Sequence, residues 1–342
     1  MSPPYLTEIL FTRTPEQFQS AVRRAADLLR AGQTVALPTE TVYGLAANAL
    51  DAQAVARIYQ VKGRPAHNPI IVHVADLEGA RRCARHWPEA ADRLAAAFWP
   101  GPLTLVLPRA DNIPDLVTAQ GDTVGLRWPS HPFIQAVIRE CGFPLAAPSA
   151  NLSNQVSPTT AEHVRSHLDG RIPLIVDGGP SSVGIESTVF DLAGVPHRVL
   201  RPGMIHEESL RAVLASLPTA PAPASADKTQ SLRSPGLLAK HYAPRARLLV
   251  RAWEDEADLL AQIARLPATA KECFILAHTR LPDPSAYAGV SVLPHQAAAF
   301  AQLLYAELHE ADASTARWIL VEAPPPTSEW RGIRDRLVRA ST

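Results

Sequence analysis

Short apolar runs of six or seven residues alternate with longer helical stretches through the first two hundred positions of this 342-residue chain. That alternation is the strongest constraint on the fold. Runs so short are strand length, and the amphipathic segments between them are helix length, so sheet and helices must share one core. The strand-like pieces are TVALPT (34–39), PIIVHV (69–74), PLTLVLP (102–108), TVGLRW (123–128), FPLAAP (143–148), PLIVDG (173–178), STVFDL (187–192) and HRVLRP (197–202). Helices are expected near 51–61, 76–98, 131–141, 159–168 and 206–216. A first helix precedes them: Thr14 suits the N-cap, Pro15 the first turn and Gln17 a capping box. Phe18, Val22, Ala25, Leu28 and Leu29 then form one apolar stripe, which Gly32 ends. The reading is an α/β domain over 14–216.

The composition changes at 217–226, LPTAPAPASA, which has three prolines and no charge and reads as an extended linker. The linker region runs to 244 and contains SPGLLAKHYAP (234–244). Beyond it, over 245–342, strands are expected at 246–250, 272–278 and 316–323, with helices at 254–265, 296–312 and 329–340. A small three-layer α/β/α domain follows from that order. The chain has 32 prolines but only 17 glycines, so the excess marks fixed turns rather than low complexity.

Thirty-three basic side chains balance 33 acidic ones, which argues against a surface that is one large polyanion trap. Cys83, Cys141 and Cys273 are far apart and form no CxxC pair, so neither a disulfide frame nor structural zinc is expected. Of the twelve histidines only His163 and His167 stand at HxxxH spacing, no HExxH occurs, and no metal site is proposed on protein ligands. No run approaches a membrane span, and the N-terminus lacks a leader pattern. A cytoplasmic protein without membrane contact is expected.

Five segments carry more polar chemistry than their surroundings require. PTETVYGLAANAL (38–50) places Thr39, Glu40, Thr41 and Tyr43 just past a strand end, where open α/β folds bind ligands. KGRPAHNPIIVHV (62–74) sets Lys62 and Arg64 around a glycine beside a buried strand; they pair with an anion such as phosphate or are solvated. In TVGLRWP (123–129), Arg127 faces opposite to Val124 and Leu126, and so meets either water or an acid. APSANLSNQVSPTT (147–160) is dense in neutral hydrogen-bonding groups and reads as a nucleotide loop or a helix-capping turn. DGGPSSVGIESTV (177–189), followed by RPG (201–203), offers backbone and hydroxyl donors for oxygens. No phosphate-binding loop of the GxxxxGK[ST] type, no GxSxG and no nucleophile–base pair can be anchored.

In this order and spacing, PTETVYGL, KGRPxxNP-IIVHV, WPGPLTLVL, VGLRWP, SAN-S, GxxSTV, RPG and SPG-HYAP resemble the threonylcarbamoyl-AMP synthases, with a YrdC-like domain and the extra C-terminal domain of the long form. The resemblance implies a twisted, mixed open sheet with helices, plus a small Rossmann-like α/β/α domain. It implies synthesis of threonylcarbamoyl-AMP from L-threonine, bicarbonate and ATP with release of pyrophosphate. Thr41, His73, Arg127 and Ser187 would line the threonine site, with a backbone contact from Ala147. Lys62, Arg64, Asn68, Thr123, Ser149, Asn151, Ser157 and Arg201 would surround ATP, Lys62 and Arg64 as the catalytic cations on phosphates. Mg²⁺ would enter through ATP phosphates and water. The 234–244 segment would fold over the site as a lid and bring His241 and Tyr242 to the nucleotide. A downstream tRNA threonylcarbamoyl-transferase complex is the implied partner, with direct tRNA contact left open. Two rival readings stand beside this one: a tRNA or double-stranded-RNA binding module, and a carbamoyl-transfer enzyme of the hydrogenase-maturation type.

Overall fold

The structure, a computed structural model, describes residues 5–194, 196–215 and 242–341. These fall into two compact units. The first takes in residues up to 153, 158–182 and 186–215; the second takes in 154–157, 183–185 and 242–341.

In the first unit the strands are β1 (Glu8–Phe11), β2 (Val35–Leu37), β3 (Gly44–Asn48), β4 (Val72–His73), β5 (Leu103–Pro108), β6 (Thr123–Arg127), β7 (Leu145–Ala146), β8 (Leu174–Asp177), β9 (Thr188–Asp191) and β10 (Arg198–Arg201). Its helices are α1 (Pro15–Arg30), α2 (Ala52–Lys62), α3 (Leu77–Cys83), α4 (Glu89–Phe98), α5 (Pro132–Cys141), α6 (Ala161–Leu168) and α7 (Glu207–Val213). Among the described residues the strands make one mixed sheet, ordered β1-β8-β2-β3-β7-β4-β6-β5-β9-β10. The mixed open sheet is the architecture expected from the sequence.

Alternation along the strands sorts side chains onto two faces. Val35 and Leu37 of β2 join a cluster with α1 and α5, while Ala36 between them joins a second cluster with α2, α4 and α6. The strand residues packed under α1 and α5 come from β2, β3, β7 and β8, with Ala75 and Ala147 just past strand ends. On β6, Val124 and Leu126 belong to the other cluster, so Arg127 projects to the α1/α5 side, beyond the strands those helices cover.

Several local expectations need correction. The helix expected over 76–98 is two helices, because the chain turns extended at Ala84 and Pro88 starts the second. PTETVYGLAANAL is not a simple strand-to-helix turn: its Gly44–Asn48 pairs antiparallel with β2. Strand β1 was not foreseen, being four residues pairing only with β8 through backbone groups. Thr14 does cap α1 by accepting from Gln17 N, but the Gln17 side chain reaches back to Arg13 N rather than to the cap residue.

The second unit contains β11 (Arg247–Arg251), α8 (Glu256–Ile263), β12 (Cys273–Ala277), β13 (Gly289–Val292), α9 (Ala297–Ala313), β14 (Trp318–Glu322) and α10 (Arg331–Ala340). Its four strands are all parallel, ordered β11-β14-β12-β13, which gives the small Rossmann-like sheet expected. Strand β13 was missed because it has only four residues, three of them partly buried and Val292 exposed.

Candidate functional site

The polar face of β4, β6, β5 and β9 collects the charged and hydroxyl side chains that the motifs contain. His73 of β4 and Arg127 of β6 are direct neighbours across a parallel ladder. Arg127 is buried and holds its neighbours through Nη1 and Nε. Nη1 donates to Thr41 Oγ1 at 2.9 Å, and Nε donates to Gly101 O at 3.3 Å. Nη2 stands 2.7 Å from Glu40 Oε1 as a buried ion pair. The Thr39 hydroxyl donates to Val42 O at 2.6 Å, so the 3.0 Å contact between Thr41 and Thr39 must run from Thr41 to Thr39. A directed chain therefore leads from Arg127 through Thr41 to Thr39. Ser181 holds the base of this loop by donating to Thr39 O at 3.0 Å.

Burial works to raise the Glu40 pKa, but the Arg127 charge beside it wins and holds the carboxyl below its usual range. Burial, with Arg127 adding repulsion, pushes His73 down to about 3, so its imidazole is neutral. Its buried Nδ1 has no hydrogen-bond partner. Ala147 spends its N–H on Ile71 O at 3.1 Å, so its carbonyl is the group left for a ligand.

Next to this group, Ser187 Oγ lies 2.8 Å from Thr104 Oγ1 across the β5–β9 pair. Arg201 donates through Nη2 to Ser187 Oγ at 3.1 Å and through Nε to Ser187 O at 3.1 Å.

A third group forms at the C-terminal end of α2. Gly63, at φ 59°, caps that helix in the left-handed conformation, so Lys62 and Arg64 leave the turn in different directions. Lys62 Nζ donates to Ser149 O at 2.6 Å and to Asn151 O, with Asn151 Oδ1 at 3.4 Å. Burial, and then the charge of Arg64, pushes Lys62 well below the usual lysine range. Arg64 donates to Asn68 O at 3.0 Å and Pro69 O at 2.6 Å. Asn68 is fully buried, and neither its Nδ2 nor its Oδ1 has a partner. A buried amide so placed costs about 1–3 kcal/mol, which a ligand with matching groups would recover.

The remaining expected residues are placed differently. Thr123 stands half-buried at the opposite end of β6 from Arg127. Ser157 belongs to the second unit, where its carbonyl accepts from His309 Nε2 at 3.1 Å. Tyr242, also in the second unit, is buried against Tyr305, with the Arg336 guanidinium over its ring. His241 and most of the expected lid lie outside the described residues.

Sequence reasoning set Glu40 at a strand end where ligands bind but gave it no partner, and it passed over Thr104 and Ser181. Thr104 carried a signal, as a lone hydroxyl inside an apolar strand. Glu40 carried one too, as an acid at a strand end beside a buried arginine, but the pairing is visible only in three dimensions. Among the described residues no group of three His, Cys, Asp or Glu side chains could hold a metal ion, and no helix is long and apolar enough to cross a membrane.

A mixed open sheet whose polar face gathers a carboxylate-binding arginine, hydroxyls and two further cations defines a YrdC-like protein. The family model described as "Telomere recombination" matches residues 27–203, and the model described as "Threonylcarbamoyl-AMP synthase, C-terminal domain" matches 205–342. The threonylcarbamoyl-AMP synthase of Bacillus subtilis is 48% identical, over 72% of this chain and 69% of that one. The one from Schizosaccharomyces pombe is 34% identical, over 96% of this chain and 90% of that one. A crystal structure of Pyrococcus abyssi Sua5 complexed with L-threonine superposes with a TM-score of 0.88 at 37% identity, covering 97% of this chain and 96% of that one. The chain belongs to the threonylcarbamoyl-AMP synthase family.

Proposed function

We propose that this chain makes L-threonylcarbamoyl-AMP from L-threonine, bicarbonate and ATP, releasing pyrophosphate, as the first step of threonylcarbamoyladenosine formation beside the tRNA anticodon. The threonine amine and bicarbonate combine into a carbamate with loss of water. A carbamate oxygen then bonds to the α-phosphorus while the bond to pyrophosphate breaks. No protein nucleophile is needed; alignment and charge neutralisation are. The observation that carries the reading is the polar face on which Arg127, bonded to Thr41 and laddered to His73, adjoins the Ser187–Arg201 pair.

In this reading Arg127, Thr41, His73, Ser187 and the Ala147 carbonyl receive threonine. Lys62 ties down the Ser149–Asn151 loop, and Arg64, Asn68 and Arg201 serve the nucleotide together with Ser149, Asn151 and Thr123. A magnesium ion would be brought in on ATP oxygens and water. That ion would supply charge neutralisation on the phosphates. The intermediate passes to a separate tRNA threonylcarbamoyl-transferase complex in the cytoplasm.

Pyrophosphate release is the test. It should require both threonine and bicarbonate, and fall with serine in place of threonine. Lys62→Ala and Arg64→Ala should each lower kcat/KM by about 100-fold or more. Full activity in both variants would remove the assignment of these cations. Tight tRNA binding without turnover would instead make the chain a binding module, and a requirement for carbamoyl phosphate would make it a carbamoyl-transfer enzyme.

A further inference from the structure

The Glu40–Arg127 pair is chemically unfinished. Both side chains are buried, and the charges stand 2.7 Å apart. Yet neither Glu40 oxygen nor Arg127 Nη2 has a partner in full hydrogen-bond geometry, although the Glu40 and Ser130 backbone amides lie close enough to help hold the carboxyl down. The pair therefore neutralises charge without saturating its donors and acceptors. Burying a charge in that condition is costly, and proteins keep it where something else completes it. A ligand that completes it must offer an acceptor to the guanidinium and a donor to the carboxylate. It must also be net neutral across the two contacts, or it would leave one buried charge uncompensated. An α-amino acid zwitterion has both groups on one carbon.

We propose that Glu40 is a specificity-determining residue that receives the α-ammonium of threonine while Arg127 receives its α-carboxylate. This rests on the reading of Arg127 given above and deepens it. Glu40 would select an amino acid over the corresponding hydroxy acid, and would hold the nitrogen in place before it gives one proton to solvent and, as the free amine, bonds to the carbon of bicarbonate, whose C–OH bond breaks as the hydroxyl leaves as water with a second proton from the nitrogen. The loop geometry fits that role. Thr39 and Thr41 flank Glu40, and their hydroxyl chain and the Ser181 tie fix the backbone on both sides of it. Thr41 also bonds Arg127, so one short loop sets the positions of both charges.

The experiment is a titration of the full chain, with a non-hydrolysable ATP analogue present, using L-threonine and (2S,3R)-2,3-dihydroxybutanoate, which has a hydroxyl where threonine has its amine. Glu40→Gln should weaken threonine by about 10- to 100-fold, the scale of a lost charge-assisted hydrogen bond, and leave the hydroxy acid unchanged or tighter. Glu40→Asp should keep part of the preference for threonine, and the KM for ATP should not move in either variant. Equal weakening of both ligands would reduce Glu40 to a prop for Arg127 and overturn the proposal, as would no change in either. The binding ratio is read without turnover. A wild-type chain that binds threonine but releases no threonine-dependent pyrophosphate would therefore sink the proposed reaction and leave this assignment standing.

Discussion

His73 shows how one residue ties the site to stability. Its imidazole is neutral in the folded chain, pushed down to about 3, whereas an unfolded histidine takes a proton near ~6.5. Between those two values the unfolded chain binds more protons, so stability is full above about pH 6.5 and falls as pH drops toward 3. Each such group contributes a slope of at most about 1.4 kcal/mol per pH unit. His163, pushed down to about 4 by burial, adds to the same window. Urea unfolding at pH 7 and pH 5 should show a clear loss at the lower pH, and His73→Gln should make that loss smaller. A pH-independent midpoint for the wild-type chain would contradict the buried, neutral histidine. The sequence identified His73 only as a strand histidine that a family resemblance made interesting. Its neutrality comes first from burial and then from the Arg127 charge on the next strand, and no local pattern encodes either.

At the level of elements, the helix caps were legible and the short strands were not. Thr14 and Gly32 mark the two ends of α1 by chemistry that acts within a few residues. Thr14→Ala should cost about 1 kcal/mol, lowering the melting temperature by a few degrees and leaving the KM for threonine unchanged. Gly63 closes α2 in the same way but sits between two site cations. A Cβ there would meet nothing within 4 Å, so the penalty of Gly63→Ala is purely the left-handed backbone, about 1–2 kcal/mol. Because relief of that strain would swing Lys62 and Arg64, pyrophosphate release should fall by more than the stability change alone explains. An active, merely less stable variant would separate the cap from the site. Strands β1, β3 and β13 escaped the sequence reading because four- and five-residue strands are defined by their partners, and a partner is a tertiary fact.

For the whole molecule, the division into units does not follow the order of the chain. Residues 154–157 and 183–185 belong to the second unit although they follow candidate site residues of the first. Gly184 makes the cost of disturbing this concrete. It has φ 83°, and a Cβ on it would overlap the backbone of Ala301 and Gln302 in α9. Gly184→Ala should destabilise the second unit by several kcal/mol, since the obstruction is backbone and cannot rotate away. Differential scanning calorimetry of the full chain would show this as a lowered transition. A melting profile identical to wild type would mean that the close approach can relax.

The sequence by itself determined the α/β class, the break after the first two hundred residues, the helix caps and the motifs that mark this family, because each rests on periodicity, turn chemistry or spacing within a short stretch. Tertiary structure decided the partners. It set Glu40 against Arg127, Lys62 against the Ser149 and Asn151 carbonyls, and Thr104 against Ser187, in every case residues about 80 or more positions apart. Whether a buried charge is satisfied depends on what the fold brings within about 3 Å of it, and that distance is set by sheet order and register rather than by the residues on either side.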